Sequence, residues 1–173
     1  MALIVSDGTG LVDADSYISL ADARAYAVKY GYSLPDDDTQ AEIALRKGAV
    51  YVGLFEGSFS GSRLEDTQSL SFPRADCYKC ISGNQIYITS DSIPLEAQHA
   101  QVIAATYYGQ GVDVRANNDG LVIQSEEVVG AVKVSYFDNG KTGGSTGITE
   151  AEDMLSNFLC AGVSGLTLRT KRV

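Results

Sequence analysis

The sequence predicts a mainly α-helical protein, a small bundle of about four helices with a β-hairpin insertion, a long irregular loop and an extended C-terminal arm. Apolar residues recur at helical spacing in four separate stretches. In three of them, a Ser or Thr followed three residues later by an acidic residue marks the start of the helix. The chain has 173 residues, of which 45% are hydrophobic. Because this length is enough for one buried core, we expect a single domain.

The first two helices follow each other closely. Ser19 and Asp22 form a capping-box-like pair that begins helix one, and Gly31 ends it. Thr39 and Glu42 repeat the pair, and helical spacing continues to about residue 55. The positions that we assign to the inward faces are Leu20, Ala23, Ala27 and Tyr30 in helix one, and Ala41, Ala44, Leu45, Gly48, Val52 and Phe55 in helix two.

A long stretch without periodicity, residues 56–91, separates helix two from helix three. Only residues 85–89 alternate in the manner of a short strand. Pro94 suits the first turn of the third helix, because its missing N–H would be unpaired there in any case, and Gly109 ends the helix. We expect this helix to complete a helical core over about residues 14–110. Its predicted inward residues are Ala97, Ala100, Ala104 and Tyr107.

The C-terminal part divides into three pieces. Alternating residues predict a β-hairpin, or a strand that adds to a neighbour's sheet, over about residues 120–137. The composition of residues 139–147 is that of a Gly-rich linker. Thr149 and Glu152 then open a fourth helix within 149–173, and a strand-like basic arm follows it. The apolar residues of this helix are Ala151, Met154, Leu155, Phe158 and Leu159.

The overall charge limits the functions that the protein can have. Its formal net charge is −9 at pH 7, and a free nucleic acid is held mainly by clustered Lys and Arg. The clearest basic cluster is Arg169, Lys171 and Arg172 in the arm.

No apolar run reaches the roughly 20 residues of a membrane helix, and the start does not resemble a signal peptide. We therefore expect a soluble protein made in a cytoplasm, without a membrane partner.

Motifs for catalysis and nucleotide binding are incomplete. Residues 140–142, Gly-Lys-Thr, match the end of a phosphate-binding loop, but that loop needs a Gly where Ser135 stands. The single histidine, His99, lies within the third predicted helix, and the chain has no Gly-x-Ser-x-Gly nucleophile motif. A surface or core histidine explains His99 better than a catalytic base. The sequence therefore predicts neither an enzyme nor a bound cofactor.

A metal site is not expected either. Cys77 and Cys80 have the spacing of half a zinc site, but only His99 and Cys160 remain to complete four ligands. Three cysteines make no disulfide framework, so unligated thiols are the simpler interpretation. The acidic run 36–38 is interpreted as a solvated loop before helix two, where its charge favours the helix N-terminus.

Three signatures occur in a characteristic order: Ala-Asp-Ser-Tyr-Ile-Ser-Leu-Ala-Asp-Ala at 14–23, Gln-Ser-Leu-Ser-Phe-Pro-Arg at 68–74, and Ile-Pro-Leu-Glu-Ala at 93–97. Together they resemble the head–tail connector adaptor, or head completion, family of tailed bacteriophages. Members of this family are often labelled DnaT-like single-stranded DNA-binding proteins. The likeness covers about residues 14–110 and continues more weakly to the C-terminus. The sequence departs from the family at two places. Phe72 stands where the family commonly has a tryptophan, and the segment that holds the first two cysteines is unusual.

The resemblance implies a structural virion protein without catalytic activity or cofactor. Identical subunits would form a ring, typically a homododecamer, under the portal protein and extend the DNA channel towards the tail. The further partner would be a downstream tail protein or a second connector protein. Genomic DNA would pass through the lumen without specific binding, because the ring would carry on the order of a hundred negative charges. The expected location is the virion neck, after assembly in the host cytoplasm.

Two groups of residues are candidates for contacts with the portal or a neighbouring subunit. Phe72, Pro73 and Arg74 form an ordered connector that packs against the helices, and support of the core is the alternative interpretation of these residues. The second group consists of the basic residues of the docking arm, Arg169, Lys171 and Arg172.

The alternative function is the single-stranded DNA binding that the family label names. Arg63, Arg74 and some of the ten tyrosines would then line a groove, since aromatic rings in a basic groove stack with bases. The net charge argues against this function. Helical spacing places several tyrosines at the rim of a core or of an interface, namely Tyr17, Tyr26, Tyr30, Tyr51 and Tyr107.

Overall fold

A computed structural model of the chain describes residues 2–82, 84–112, 125–128, 132–135 and 148–159. Four α-helices occur in these residues: α1 (Leu20–Tyr30), α2 (Asp38–Gly53), α3 (Leu95–Gly109) and α4 (Thr149–Leu155). They are accompanied by three two-stranded antiparallel sheets, in which β1 (Ser62–Arg63) pairs with β2 (Arg74–Ala75), β3 (Tyr78–Ile81) with β4 (Asn84–Tyr87), and β5 (Ser125–Val128) with β6 (Val132–Ser135).

The architecture is therefore mixed α and β, which corrects the prediction of a mainly α-helical protein. The predicted number of helices agrees with the described residues, but the stretch 56–91 holds two of the three sheets instead of one short strand. Their strands have two to four residues. The strand predicted at residues 85–89 overlaps β4, whereas β1, β2 and β3 are too short to be identified by alternation alone.

The starts of the first two helices differ in how well local sequence predicts them. The Ser19 side chain accepts the Asp22 N–H at 3.1 Å, and Gly31 ends α1 with a left-handed φ of 79°, as predicted. The α2 cap is Asp37 and not Thr39, since the Asp37 carboxylate accepts the N–H three residues on at 2.9 Å. The start of α2 therefore lies two residues before the predicted one, inside the acidic run.

Helix α3 is the centre of the core and packs closely on α2. A Cβ at Gly48 would lie 2.3 Å from the Gln101 carbonyl oxygen, so only glycine allows this approach. The fully buried Gln101 side chain donates to the Leu45 carbonyl at 2.9 Å and to Ser16 Oγ at 2.8 Å, and it accepts the Tyr17 N–H at 2.8 Å. One amide thus joins α3 to α2 and to the segment before α1.

Two aromatic residues predicted to face inward lie on the surface. Tyr30 and Tyr107 are exposed, whereas Tyr26 takes the inward position on α1. The Tyr26 ring stacks on His99 of α3, with the ring centroids 4.1 Å apart. Helical spacing alone favoured Tyr30, which falls on the same stripe as Ala23 and Ala27, but Tyr30 is the last residue of α1.

Helix α4 covers the bundle and is held at its start by a tyrosine and not by a side-chain cap. Thr149 makes no cap, which corrects the predicted capping pair. Instead Tyr51 accepts the Ile148 N–H at 2.8 Å and donates to Glu152 at 3.0 Å. Tyr32 donates a similar bond to Glu150. The buried residues of this segment are Ile148, Ala151, Leu155 and Phe158.

The hairpin predicted over about residues 120–137 is present, since β5 and β6 pair antiparallel within it. The predicted linker 139–147 and the arm after residue 159 lie outside the described residues. Among the helices that the structure describes, none has both the length and the apolar character needed to cross a membrane.

Candidate functional site

The connector signature, residues 68–74, ends in a buried aromatic cluster. The Phe72 side chain is 1% exposed, and the centroid of its ring lies 6.2 Å from that of Tyr17, 5.1 Å from that of Phe59 and 5.6 Å from that of Phe158. Such edge-to-face and tilted ring pairs stabilise a core beyond the area that they bury. The next residue, Pro73, is also buried and follows a cis peptide bond. The connector therefore joins the N-terminal segment to the end of the α4 region.

Arg74 supports this connector from inside. Its side chain is 6% exposed, and its guanidinium donates to the Ser60 carbonyl at 2.9 Å, the Gly61 carbonyl at 2.8 Å and the Ser71 carbonyl at 3.3 Å. Buried carbonyls need such donors where the backbone is irregular. A guanidinium held in this way supports the backbone of the connector.

Glu56 brings Arg63 and the connector residue Arg74 together. Its carboxylate receives two hydrogen bonds from Arg63, at 2.5 Å and 2.7 Å, and Arg74 lies 3.6 Å away. Ser71 adds a bond at 3.1 Å. The hydrogen bond from Arg63, followed by that from Ser71, lowers the pKa of Glu56. A carboxylate stabilised in its charged form is a weak base, so this cluster is suited to structure and not to proton transfer.

Glu56 was not among the residues that the sequence predicted for the site. It stands seven residues before Arg63 and eighteen before Arg74, in a stretch without any period. No spacing rule relates such positions. The only signal is that an acidic residue opens a loop that contains two arginines, which is too general to identify a pair.

Most of the other basic side chains of the body are also occupied. Here the body means residues 2–82, 84–112 and 148–159. It contains fourteen acidic residues in 2–112, three more in 148–159 and seven basic residues. Five of the seven form ion pairs: Arg24 with Asp38, Arg46 with Asp15 and Glu42, Arg63 and Arg74 with Glu56, and Lys79 with Glu96.

The other two cations of the body lie over tyrosine rings. Lys29 Nζ is 5.2 Å from the centroid of the Tyr30 ring, and Lys47 Nζ is 5.8 Å from that of Tyr108. Both lysines are exposed, and they lie on different helices. Arg63 and Arg74, which were expected to line a basic groove with tyrosines, are instead paired with Glu56 in the described part of the chain.

A shallow groove of about 310 Å³ runs between α2 and the connector. Val50, Leu54 and Leu70 give it an apolar side, and the Glu56–Arg63 ion pair gives it a charged end. Val50 and Leu54 are exposed. The groove has the mixed character of a protein contact surface, and the described residues that line it include no histidine or cysteine.

The cysteines and the histidine do not form a metal centre in the described residues. There, no group of three or more His, Cys, Asp or Glu side chains is arranged to hold an ion. Cys77 is buried, which raises the pKa of its thiol. Cys80 is disulfide-bonded, so the expectation that both residues are unligated thiols is wrong for Cys80. Burial against Tyr26 lowers the pKa of His99, which favours its neutral form.

The structure places the predicted interaction residues in two different situations. Phe72, Pro73 and Arg74 are buried in the body, which favours their interpretation as core support, and a role in contacts between subunits stays a prediction. The arm residues Arg169, Lys171 and Arg172 lie outside the described residues, so their role also stays a prediction.

One comparison with known proteins gives a result. A family model described as "Putative DnaT-like ssDNA binding protein" matches residues 1–173. No curated protein and no solved structure shows significant similarity to the chain. The family match extends over the linker and the arm as well as the body, and thus beyond the residues 14–110 that hold the three signatures.

Proposed function

This chain belongs to the family described as "Putative DnaT-like ssDNA binding protein", and we propose that it is a structural virion protein, a head–tail adaptor. In this proposal, identical subunits form a ring under the portal protein of a tailed phage, in the homododecameric arrangement that the resemblance implies. The ring extends the DNA channel towards a tail protein or a second connector. The protein has no catalytic role and needs no cofactor.

The observation that carries the proposal is that most basic side chains of this acidic body are paired with carboxylates. Five of the seven basic side chains of the body neutralise carboxylates of the same chain. With seventeen acidic and seven basic residues, the described body has an excess of ten acidic charges. Nucleic acid binding depends on cations that are free to replace the counterions of phosphates. A surface of this kind repels DNA and suits a channel wall along which the genome slides.

The proposed contacts with the portal come from the arm. Arg169, Lys171 and Arg172 follow a body in which acidic residues predominate, and the arm contains no acidic residue after residue 159. Such a contrast in charge favours docking of the arm on an acidic surface of the portal or of the next subunit. The buried Phe72, Pro73 and Arg74 contribute indirectly, because they fix the shape of the groove beside α2.

Removal of the arm tests this part of the proposal. We expect a chain without residues 166–173 to fold and to lose co-sedimentation with the portal of its own phage. A matched variant, Lys29→Ala with Lys47→Ala, removes two exposed cations of the body and should still co-sediment. Full portal binding by the shortened chain would contradict the docking role of the arm.

Single-stranded DNA binding is the second candidate function, and a specific observation favours it. The description of the matched family names this activity and no virion role, so the comparison supports it better than the adaptor function. In the body, any such binding would depend on Lys29 and Lys47, since the other five cations are paired. Binding to a labelled single-stranded oligonucleotide should then weaken steeply with salt, and the Lys29→Ala, Lys47→Ala variant should reduce that slope.

A further inference from the structure

The hairpin formed by β3 and β4 has one closed edge. On the outer side of β3, the Tyr78 N–H donates to Ser60 Oγ at 2.9 Å, and the same hydroxyl donates to the Tyr78 carbonyl at 2.9 Å. The Cys80 N–H donates to the Asn157 carbonyl at 2.8 Å. These bonds connect β3 to the loop before β1 and to the end of the α4 region, so no further strand can pair with this edge.

Among the described residues, no strand pairs with the outer edge of β4. Lys79 pairs with Ile86, and the Ile88 N–H donates to the Cys77 carbonyl at 2.8 Å. In an antiparallel ladder, alternate residues face the neighbouring strand, so the backbone groups of Ile86 face β3. Those of Gln85 and Tyr87 face away from it. In the described part of the chain, these outward groups have no protein partner.

The sequence of this edge lacks the features that usually protect one. Residues 84–89 read Asn-Gln-Ile-Tyr-Ile-Thr, with no charge and no proline. Soluble monomers commonly guard an exposed edge strand with lysine, proline or a bulge. Here Ile86 is 49% exposed and Tyr87 is 66% exposed, and both residue types favour strands and interfaces.

The β4 edge is a place where two copies of this acidic chain can meet, because the strand itself carries no charge. Each copy carries a formal net charge of −9, and like charges oppose the approach of two copies over most of the surface. The six residues 84–89 form an uncharged strip, and the nearest cation along the hairpin, Lys79, is already paired with Glu96. Two identical copies can meet here without opposing like charges.

We propose that two copies of this chain pair through their β4 edges, antiparallel, about a two-fold axis at Ile86. Gln85 of each copy then exchanges backbone hydrogen bonds with Tyr87 of the other, and the two Ile86 side chains meet on the axis. The two Ile86 residues face each other without backbone hydrogen bonds between them, so their Cα atoms lie about 4.5 Å apart. The result is a four-stranded sheet in the order β3, β4, β4, β3.

This contact is separate from the proposed ring. A two-fold contact uses the same patch on both copies and closes after two subunits, whereas neighbours in a ring use two different patches. Two short hairpins bury less than the roughly 1,200 Å² of a typical stable interface. We therefore expect a dimer whose population rises with protein concentration.

Cross-linking at the axis tests the contact in the full chain. Cysteines about 4.5 Å apart at Cα lie within the range that a disulfide bridges. Under mild oxidation with diamide, Ile86→Cys should give a covalent dimer at least tenfold faster than Val28→Cys. Val28 is the matched control, because it is 81% exposed and lies on α1. Equal rates for the two variants would overturn the proposal.

A second measurement does not depend on cysteine chemistry. Sedimentation velocity over a range of concentrations should show a monomer–dimer equilibrium for the natural chain, and Ile86→Lys should weaken dimerisation at least tenfold, since it places two cations on the axis. Val28→Lys should leave the equilibrium unchanged. Gln85→Pro removes an outward N–H that β3 does not use and should act like Ile86→Lys. A natural chain that stays monomeric, or a dimer that tolerates both hairpin variants, would contradict the assignment.

Discussion

The connector and the β3–β4 hairpin are adjacent in the chain but differ in almost every physical respect. Both belong to the stretch 56–91, in which only residues 85–89 alternate in the manner of a strand. In the connector, Phe72 and Arg74 are buried and their polar neighbours are hydrogen-bonded. In the hairpin, all four residues of β4 are exposed, and within the described residues one edge has no pairing strand. A stretch with little regular patterning can therefore encode either buried or exposed structure.

The difference comes from side chains that replace regular backbone pairing. In the connector, the buried Gln68 amide donates to the Leu70 and Pro73 carbonyls at 2.7 Å and 3.0 Å, and Arg74 serves three more carbonyls. A chain without helix or sheet can be buried only when its carbonyls find such donors. The hairpin has regular pairing on one side and needs no such side chains.

The largest expected difference between the two regions is in stability. Phe72→Ala should lower the free energy of unfolding by about 3–5 kcal/mol, because it removes a buried ring and leaves a cavity beside Phe59 and Phe158. Tyr87→Ala removes an exposed ring and should cost less than about 1 kcal/mol. Urea denaturation of both variants measures the contrast. Similar losses would show that the connector is not part of the core.

A smaller effect is expected from Glu56, which forms ion pairs with Arg63 and with Arg74 of the connector. Glu56→Gln should lower the free energy of unfolding by about 1–2 kcal/mol, because it leaves two guanidinium groups without their carboxylate, and partial exposure of Arg63 moderates the loss. Glu65→Gln changes an exposed carboxylate of the same loop and is the control, with an expected change within about 0.5 kcal/mol. If both variants unfold alike, Glu56 does not organise the connector.

The same carboxylate gives the connector region a pH dependence. Because the pKa of Glu56 is lowered in the folded protein, the unfolded chain binds its proton more readily at acidic pH. Its contribution to stability is present above the unfolded pKa, about 4.3, and disappears as pH falls through the lower folded pKa. Between pH 5 and pH 3, Glu56→Gln should therefore lose less stability than the natural chain. Parallel curves would contradict this prediction.

The smallest effect is expected at His99, which lies in the helical part and serves as a reference. Burial lowers its pKa from the ordinary value of 6.5, so below this pH the unfolded chain takes up a proton before the folded one does. Stability should decline slightly from pH 7 to pH 5, and His99→Gln should remove this decline. Thermal unfolding at both pH values measures it. An unchanged decline in the variant would assign the effect to other groups.

How much the sequence predicted also follows the division between local and distant interactions. The start of α1 at Ser19 and its end at Gly31 depend on residues within one helical turn, and both predictions are confirmed. The predicted start of α2 was two residues too late. Asp37 and Thr39 can both cap a helix, and local sequence patterns do not show which of two such neighbours is the N-cap.

Distant partners could not be predicted from spacing. Glu56 meets Arg74 eighteen residues on, and Tyr51 holds Ile148 and Glu152 about a hundred residues away. The strand β3 was also missed. It is determined by its pairing with β4 and by the hydrogen bond from Cys80 to Asn157, and not by alternation within its four residues. The connector was recognised as an ordered element, but its burial depends on these distant contacts.

We propose that this protein is a ring-forming adaptor that does not hold DNA, because its body is acidic and most of its basic side chains are paired. Electron microscopy of the full chain mixed with the portal of its own phage tests it most directly, with a single-stranded oligonucleotide binding assay on the same preparation. We expect a ring that caps the portal and no binding of the oligonucleotide at physiological salt. A bare portal together with tight, salt-sensitive binding of the oligonucleotide would contradict it and assign the protein to single-stranded DNA binding.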